Sequence, residues 1–104
     1  MNKLETNALR IIELLYPDID INGIEKYKEF FSTYNGLMPI VFECNKSNVD
    51  YPININPHNV TAYPCGTLDI HSYNTEPEFI EAIQLACIKY LKLKNDNSRV
   101  QQTI

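Results

Sequence analysis

Residues 75–94 of the chain read TEPEFIEAIQLACIKYLKLK, and this stretch decides the fold that the sequence predicts. Thr75 and Glu78 stand three residues apart, as the partners of a helix-capping box do, and Pro77 occupies the first turn, where proline is tolerated. Apolar residues then recur at helical spacing, with glutamates near the beginning and lysines near the end, as the helix dipole favours. We expect a long C-terminal helix that lies across a sheet and buries Phe79, Ile83, Ala86 and Tyr90.

The sheet is predicted from the segment before this helix. Val49–Ile55 alternates apolar and polar residues, and Pro52 confines it to an edge or to the start of a strand. Val60–Tyr63 and Thr67–Tyr73 follow, separated by turn residues rich in Asn, Pro and Gly. The three segments predict a meander of short antiparallel strands.

The last predicted strand presents two different faces. Leu68 and Ile70 form its apolar face, and Asp69 and His71 share its polar face, because side chains alternate along a strand. A carboxylate beside a histidine can serve general acid–base chemistry. No nucleophile motif or oxyanion loop accompanies this pair, so we expect a protein that is not an enzyme.

Two helices are predicted at the N-terminus. Asn2, with Glu5 three residues later, resembles a capping box for a helix over Lys3–Leu15, which Pro17 stops. Asn22 is the expected cap of a second helix over Gly23–Thr33. An aromatic stripe at helical spacing marks its buried face and favours core packing over a base-stacking platform: Ile24, Tyr27, Phe31 and Tyr34.

The next segment, Leu37–Cys44, is ambiguous from its pattern alone. Its apolar density and β-branched residues fit a strand, but its apolar positions also fit one face of a helix. Asn35 is a possible cap for such a helix, with Pro39 within or near the first turn, where proline costs least.

Length and composition describe one small globular domain. The chain has 104 residues, 44% hydrophobic and 21% charged. No apolar run approaches the ~20 residues that a membrane span needs. We expect residues 1–94 to form the domain and residues 95–104 a polar, flexible tail.

Charge is unevenly distributed along the chain. Residues 1–88 carry 5 basic and 12 acidic groups, giving −7, whereas residues 89–104 carry 4 basic groups and 1 acidic group, giving +3. An acidic body repels phosphate backbones; it is typical of an ordinary soluble surface, and it also suits a basic groove on another protein.

The three cysteines predict free thiols rather than a disulfide or metal site. The N-terminus lacks a secretory signal pattern, which predicts a cytoplasmic, reducing location. Cys87 and Cys44 are expected in the core, and Cys65, in a Pro-Cys-Gly turn, at the surface. A zinc site that combines Cys44 and Cys65 with His58 and His71 would have 13, 6 and 5 residues between successive ligands, and this spacing fits no standard zinc motif. We therefore expect no metal and no cofactor.

Two groups of residues are candidates for binding. The basic C-terminal end offers four cations for a nucleic acid: Lys89, Lys92, Lys94 and Arg99. The predicted sheet offers an aromatic and polar patch: Tyr63, His71 and Tyr73. Sheets that bind single-stranded RNA surround such aromatics with basic side chains. Residues 47–88 contain no Lys or Arg, which argues against direct RNA binding by the sheet.

One segment resembles a known group of proteins. Tyr34–Glu43, YNGLMPIVFE, resembles a motif of small proteins encoded by phages and mobile elements of Bacteroidetes. Those proteins combine a Tyr and a Leu-Met-Pro core with a later amphipathic helix like Glu78–Tyr90. The resemblance covers roughly residues 34–92, and this chain lacks the Trp residues that often precede the core. It implies a helix over residues 36–44 and supplies no catalytic residues.

The resemblance also implies a class of function. Small, acidic phage proteins without catalytic motifs include many anti-defence proteins, among them anti-CRISPR proteins, which bind an effector. We expect an inhibitor that binds a host nuclease, with a type VI-B RNA-guided RNase as the first choice and RNA involved only indirectly. The alternatives are a nucleic-acid-binding accessory protein, a structural or oligomerising phage protein, and an enzyme that uses Asp69 and His71. The expected fold is of the α+β class: N-terminal helices, a three-stranded antiparallel sheet and a long C-terminal helix on the sheet.

Overall fold

Four helices and one antiparallel sheet make up the part of the chain that the structure describes. This computed structural model describes the backbone of residues 2–63 and 67–102, and the side chains of residues 2–63 and 67–96. None of the described helices is long and apolar enough to cross a lipid bilayer. The α+β class predicted from the sequence is confirmed by the elements, in chain order: α1 (Lys3–Leu15), α2 (Ile21–Phe30), α3 (Tyr34–Ser47), β1 (Asn54–Ile55), β2 (Asn59–Ala62), β3 (Asp69–Ser72) and α4 (Glu76–Gln102).

Helix α4 is the element around which the others pack. It contacts α1 and α3 as well as strands β2 and β3, so the same helix packs against both the other helices and the sheet. Ile83, Ala86 and Tyr90 are buried as predicted, and Phe79 is partly buried against the core. The backbone of α4 continues as helix to Gln102, through much of the polar segment from residue 95. The flexibility expected of that segment stays a prediction.

The predicted cap of α1 is confirmed, and the predicted cap of α2 is wrong. Helix α1 begins and ends as expected, and the Glu5 N–H donates to Asn2 Oδ1 at 2.8 Å. Helix α2 begins earlier than predicted, because Asp20 rather than Asn22 is its cap and accepts from the Gly23 N–H at 2.8 Å. It also ends at Phe30, short of the predicted Thr33.

The aromatic stripe is split between two helices. Phe31 is buried, and Ile24 and Tyr27 pack against the core, which confirms the core interpretation for these three side chains. Tyr34, the fourth member, instead begins α3 and is 44% exposed. The chain turns at residues 31–33, so the periodicity continues in the sequence but not in one helix.

The ambiguous segment is a helix, as the resemblance implied. Thr33, not Asn35, caps α3 and accepts from the Gly36 N–H at 3.1 Å. Pro39 therefore falls in the second turn of the helix rather than the first. The carbonyl that its missing N–H would have met belongs to Asn35, which is exposed and can be solvated.

The first predicted strand is mostly a turn. The sequence predicted a strand over Val49–Ile55, but β1 contains only its last two residues. The Asn45 side chain accepts from the Ile53 N–H at 2.6 Å and donates to the Ile53 carbonyl at 3.0 Å. It thus occupies both backbone groups that a neighbouring strand would have paired. Upstream, the Tyr51 N–H donates to the Asn48 carbonyl in a turn.

The register of β3 reverses the faces expected from the sequence. Val60 pairs with His71 and Ala62 with Asp69, and both β2 residues are fully buried. The polar residues of β3 therefore share the face that meets α4. Ile70, which the alternation placed on an apolar face, is 51% exposed on the other side of the sheet.

Candidate functional site

Strand β3 is an edge strand that exposes an apolar side chain, Ile70, on its outer face. The sheet order is β1-β2-β3, so in the described part of the chain β3 pairs only with β2. Ile70 lies on the outer face opposite Thr61 of β2, and Leu68, just before the strand, is 47% exposed. Exposed apolar side chains beside an unpaired strand edge make a surface on which another chain can pair.

The inner face of β3 holds a charged cluster. Asp69 Oδ2 lies 3.0 Å from His71 Nε2 and 2.6 Å from Lys89 Nζ of helix α4. Burial alone would raise the pKa of Asp69, but the hydrogen bonds from Lys89 and His71 outweigh it and lower that pKa. A carboxylate held ionised in this way is a weak base. Its evident role is to fasten the edge strand to α4.

A groove runs between this strand and the C-terminal part of α4. Its volume is about 430 Å³, and Leu68 and Leu93 supply its apolar lining. Lys89 and Lys92 lie along it on α4, with Asp69 on the strand side. The groove is therefore next to the free edge of β3, where it could receive a side chain from a partner strand.

The predicted basic cluster is divided between two places. Lys89 and Lys92 are one helical turn apart and border the groove beside β3, and Lys89 already pairs with Asp69. Lys94 instead lines a cavity among the helices. The side chain of Arg99 lies outside the described residues. The three described lysines thus do not form one continuous surface.

The predicted aromatic patch is also dispersed. The Tyr73 N–H donates to the His58 carbonyl, five positions before Tyr63 along the chain. Tyr63 and Tyr73 therefore lie at opposite ends of the β2–β3 pair, about 17 Å apart at about 3.4 Å per residue. Both have structural contacts: the Tyr73 hydroxyl donates to the Asn56 carbonyl, and the Tyr63 N–H donates to the Tyr90 hydroxyl.

The hypothetical zinc site cannot be assembled from the described residues. Cys44 is buried in α3, His58 is exposed, and His71 is bound to Asp69. Cys65 lies outside the described part of the chain. Within that part, no group of three or more His, Cys, Asp or Glu side chains is placed to hold a metal ion.

A cavity that the sequence did not reveal lies among the four helices. It has a volume of about 620 Å³ and is lined mainly by apolar and aromatic side chains, with Glu43 and Lys94 among them. Its aromatic wall comes from the end of α1 and from α2, and its other walls come from α3 and α4. No signal in the sequence indicates this cavity, because no periodicity brings these elements together.

Comparison of the chain with protein-family models, curated proteins and solved structures finds no match in any of the three.

Proposed function

We propose that this chain is a non-enzymatic inhibitor that binds a host defence nuclease, and that strand β3 is its main point of contact. The observation that carries the proposal is the exposed Ile70 on the outer face of β3, an edge strand whose second edge has no partner in the described part of the chain. Proteins commonly protect such edges with charged residues. Here the charged residue Asp69 faces α4 and is bonded to Lys89, which leaves the outer face of β3 without a charged side chain.

Addition of a partner strand to β3 suits this geometry. Backbone hydrogen bonds along the free edge supply affinity, and pockets for alternate side chains supply specificity. The groove lined by Leu68 and Leu93 lies next to the edge and provides such a pocket. Ile70 would contact the partner from the outer face.

The partner class is inferred from charge and from the resemblance of Tyr34–Glu43 to phage proteins. The chain has a net charge of −4, which is divided into −7 over residues 1–88 and +3 over residues 89–104. Its acidic body is complementary to the basic channel in which a nucleic-acid-guided nuclease holds its nucleic acid. A type VI-B RNA-guided RNase is the first candidate, with RNA contacted only through that enzyme.

The proposal is tested by measuring the affinity of the purified chain for a purified type VI-B effector, with and without guide RNA. Ile70→Lys is expected to weaken binding at least tenfold, because a charge on the outer face opposes docking. Ile21→Lys is the matched control: Ile21 is 73% exposed on α2, away from the sheet. Circular dichroism checks that both variants are folded.

The outcomes separate the candidate functions. Binding that Ile70→Lys weakens and Ile21→Lys leaves unchanged supports the proposal. Equal effects of the two variants, or no binding to the effector in either state, would overturn it. A complex that forms only through RNA and weakens on Lys92→Glu would place the nucleic-acid-binding accessory function first.

A further inference from the structure

The cavity among the helices has the dimensions of a small-molecule site. Its volume of about 620 Å³ falls within the roughly 300–1,000 Å³ of typical ligand pockets. It lies between the end of α1, helix α2, helix α3 and the C-terminal half of α4. The edge of β3 takes no part in it, so this site is separate from the proposed protein contact.

One wall of the cavity is a continuous aromatic surface. The ring of Tyr27 stacks on that of Tyr16 with centroids 5.3 Å apart, and on that of Phe31 with centroids 5.4 Å apart. Phe30 extends the wall, with its ring centroid 5.6 Å from that of Phe31. Phe30 is 46% exposed and Tyr16 42% exposed, although both are large apolar side chains beside a cavity. Such a wall favours a ligand with an apolar or aromatic body.

The charged groups of the cavity stand on its other two walls. Lys94 projects from α4 and Glu43 from α3. Among the described residues, neither forms an ion pair with another side chain, and they are not paired with each other. Both are therefore available to a ligand, and they would act on its charge in opposite directions.

Both charges of the cavity, Lys94 and Glu43, act on the pKa of the Cys44 thiol. This thiol lines the cavity and is 7% exposed. The pKa of Cys44 is lowered, chiefly by the neighbouring thiol of Cys87 against the opposing effect of burial. Lys94 lowers this pKa more than Glu43 raises it. Of the two cavity charges, Lys94 therefore acts more strongly at this thiol than Glu43 does.

We propose that this cavity binds an amphipathic organic monoanion, with its apolar body on the aromatic wall and its acidic group at Lys94. Fatty-acid-like carboxylates and aromatic carboxylates or sulfonates share this chemistry. The apolar body would displace water from Tyr16 and Phe30, and the anion would form the ion pair that Lys94 lacks.

The experiment uses 1-anilinonaphthalene-8-sulfonate as a fluorescent probe and decanoate as its competitor, with the full chain. We expect saturable binding that decanoate displaces. Lys94→Gln should weaken binding about five- to tenfold, and Glu43→Gln should strengthen it, because one removes the attractive charge and the other the repulsive one. Lys46→Gln removes one positive charge, as Lys94→Gln does, but Lys46 lies on α3 outside the cavity lining. This variant should have little effect on the affinity for the probe. Thermal melting checks that each variant is folded.

A second measurement locates the bound ligand. Decanoate should protect Cys44 from alkylation by iodoacetamide, as read by peptide mass spectrometry, because this thiol lines the cavity. Probe binding that is equal in Lys94→Gln and Lys46→Gln, or that leaves Cys44 unprotected, would overturn the proposal. Stronger binding by Lys94→Gln and weaker binding by Glu43→Gln would also overturn it and would indicate an amphipathic cation.

Discussion

The side-chain amide of Gln84 donates a hydrogen bond to the Phe31 carbonyl, 2.9 Å away and 53 residues earlier in the chain. The same nitrogen lies 2.9 Å from the Leu4 carbonyl, and Gln84 Oε1 accepts from the Asn7 side chain at 3.2 Å. Gln84 is fully buried. One polar side chain therefore ties α4 to α1 and to the end of α2.

Replacing Gln84 should destabilise the whole fold. Gln84→Ala removes two donors from buried carbonyls and leaves a void, so the free energy of unfolding should fall by about 2–4 kcal/mol. Urea denaturation measures this change. Gln84→Glu keeps the size but replaces the donating amide by an acceptor, and it should be at least as harmful. If Gln84→Glu were as stable as the parent chain, these hydrogen bonds would not contribute to stability.

Gly36 permits the close approach of α3 to the end of α2. A Cβ atom at this position would lie 1.9 Å from the Phe30 carbonyl oxygen, a backbone atom that cannot move independently. Gly36→Ala should therefore lower the free energy of unfolding by about 3 kcal/mol, through strain at the start of α3. Gly23→Ala is the comparison, because the nearest atoms to the added carbon, 2.5 Å away in Ile19 and 3.3 Å away in Asp20, belong to side chains, which can shift more easily than backbone. Similar stabilities of the two variants would contradict the prediction.

The hydroxyl of Tyr90 joins α4 to two loops. It donates to the Tyr51 carbonyl and accepts from the Tyr63 N–H at 3.0 Å. Tyr90→Phe leaves both backbone groups without this partner and should cost about 1–3 kcal/mol of stability. Tyr34→Phe, which removes a hydroxyl from a 44% exposed residue, should cost much less. Chemical denaturation of the two variants under one set of conditions gives the comparison.

The lowered pKa of Asp69 makes stability depend on pH at the acidic end. Burial raises this pKa, but the Lys89 and His71 hydrogen bonds more than offset it. Because the folded pKa lies below the unfolded value of about 3.9, the contribution is present above that value and is lost as the pH falls through the folded pKa. In Asp69→Asn the loss of stability below about pH 4 should be smaller. Unfolding curves between about pH 2 and pH 7 test this, and identical slopes for both proteins would count against it.

The two buried thiols should differ in reactivity. The adjacent thiol lowers the pKa of Cys44 and, together with burial, raises that of Cys87. Cys44 also lines the cavity, whereas Cys87 is fully buried. Iodoacetamide should therefore alkylate Cys44 first in the folded chain, since the thiolate is the reactive form. Peptide mass spectrometry after short exposure measures the order, and the urea-unfolded chain provides the control. Faster alkylation of Cys87 would refute the assignment.

Local signals explain why the helices could be predicted. The capping pair of Thr75 and Glu78 is present as expected, with the Thr75 N–H donating to Glu78 Oε1 at 3.1 Å. Asn2 caps α1 in the same local manner. These interactions join residues three positions apart, so their partners are visible in the sequence. The predicted cap of α2, Asn22, was wrong. Asp20 and Asn22 are both residues that cap helices well, and the sequence pattern does not distinguish between them.

Long-range partners explain what could not be predicted in the sheet. The side chain of Asn45, on a helix eight residues earlier, bonds both the N–H and the carbonyl of Ile53. Ile53 therefore cannot pair with a neighbouring strand, and most of the expected first strand is absent. Lys89 holds Asp69 on the inner side of the sheet, so the apolar Ile70 faces outward. Alternation identifies two faces of a strand, but a partner in another element decides which face is covered.

The sequence by itself determined the α+β class, helices α1 and α4 and the buried positions of α4, because helix periodicity and caps depend on residues a few positions apart. Only the tertiary structure decided which face of β3 is exposed, how the lysines of α4 are divided and that an aromatic cavity exists. Each of these depends on side chains from different elements meeting in space. The free energy of those contacts depends on burial and on pairing between elements. Neither can be predicted from the spacing of residues a few positions apart.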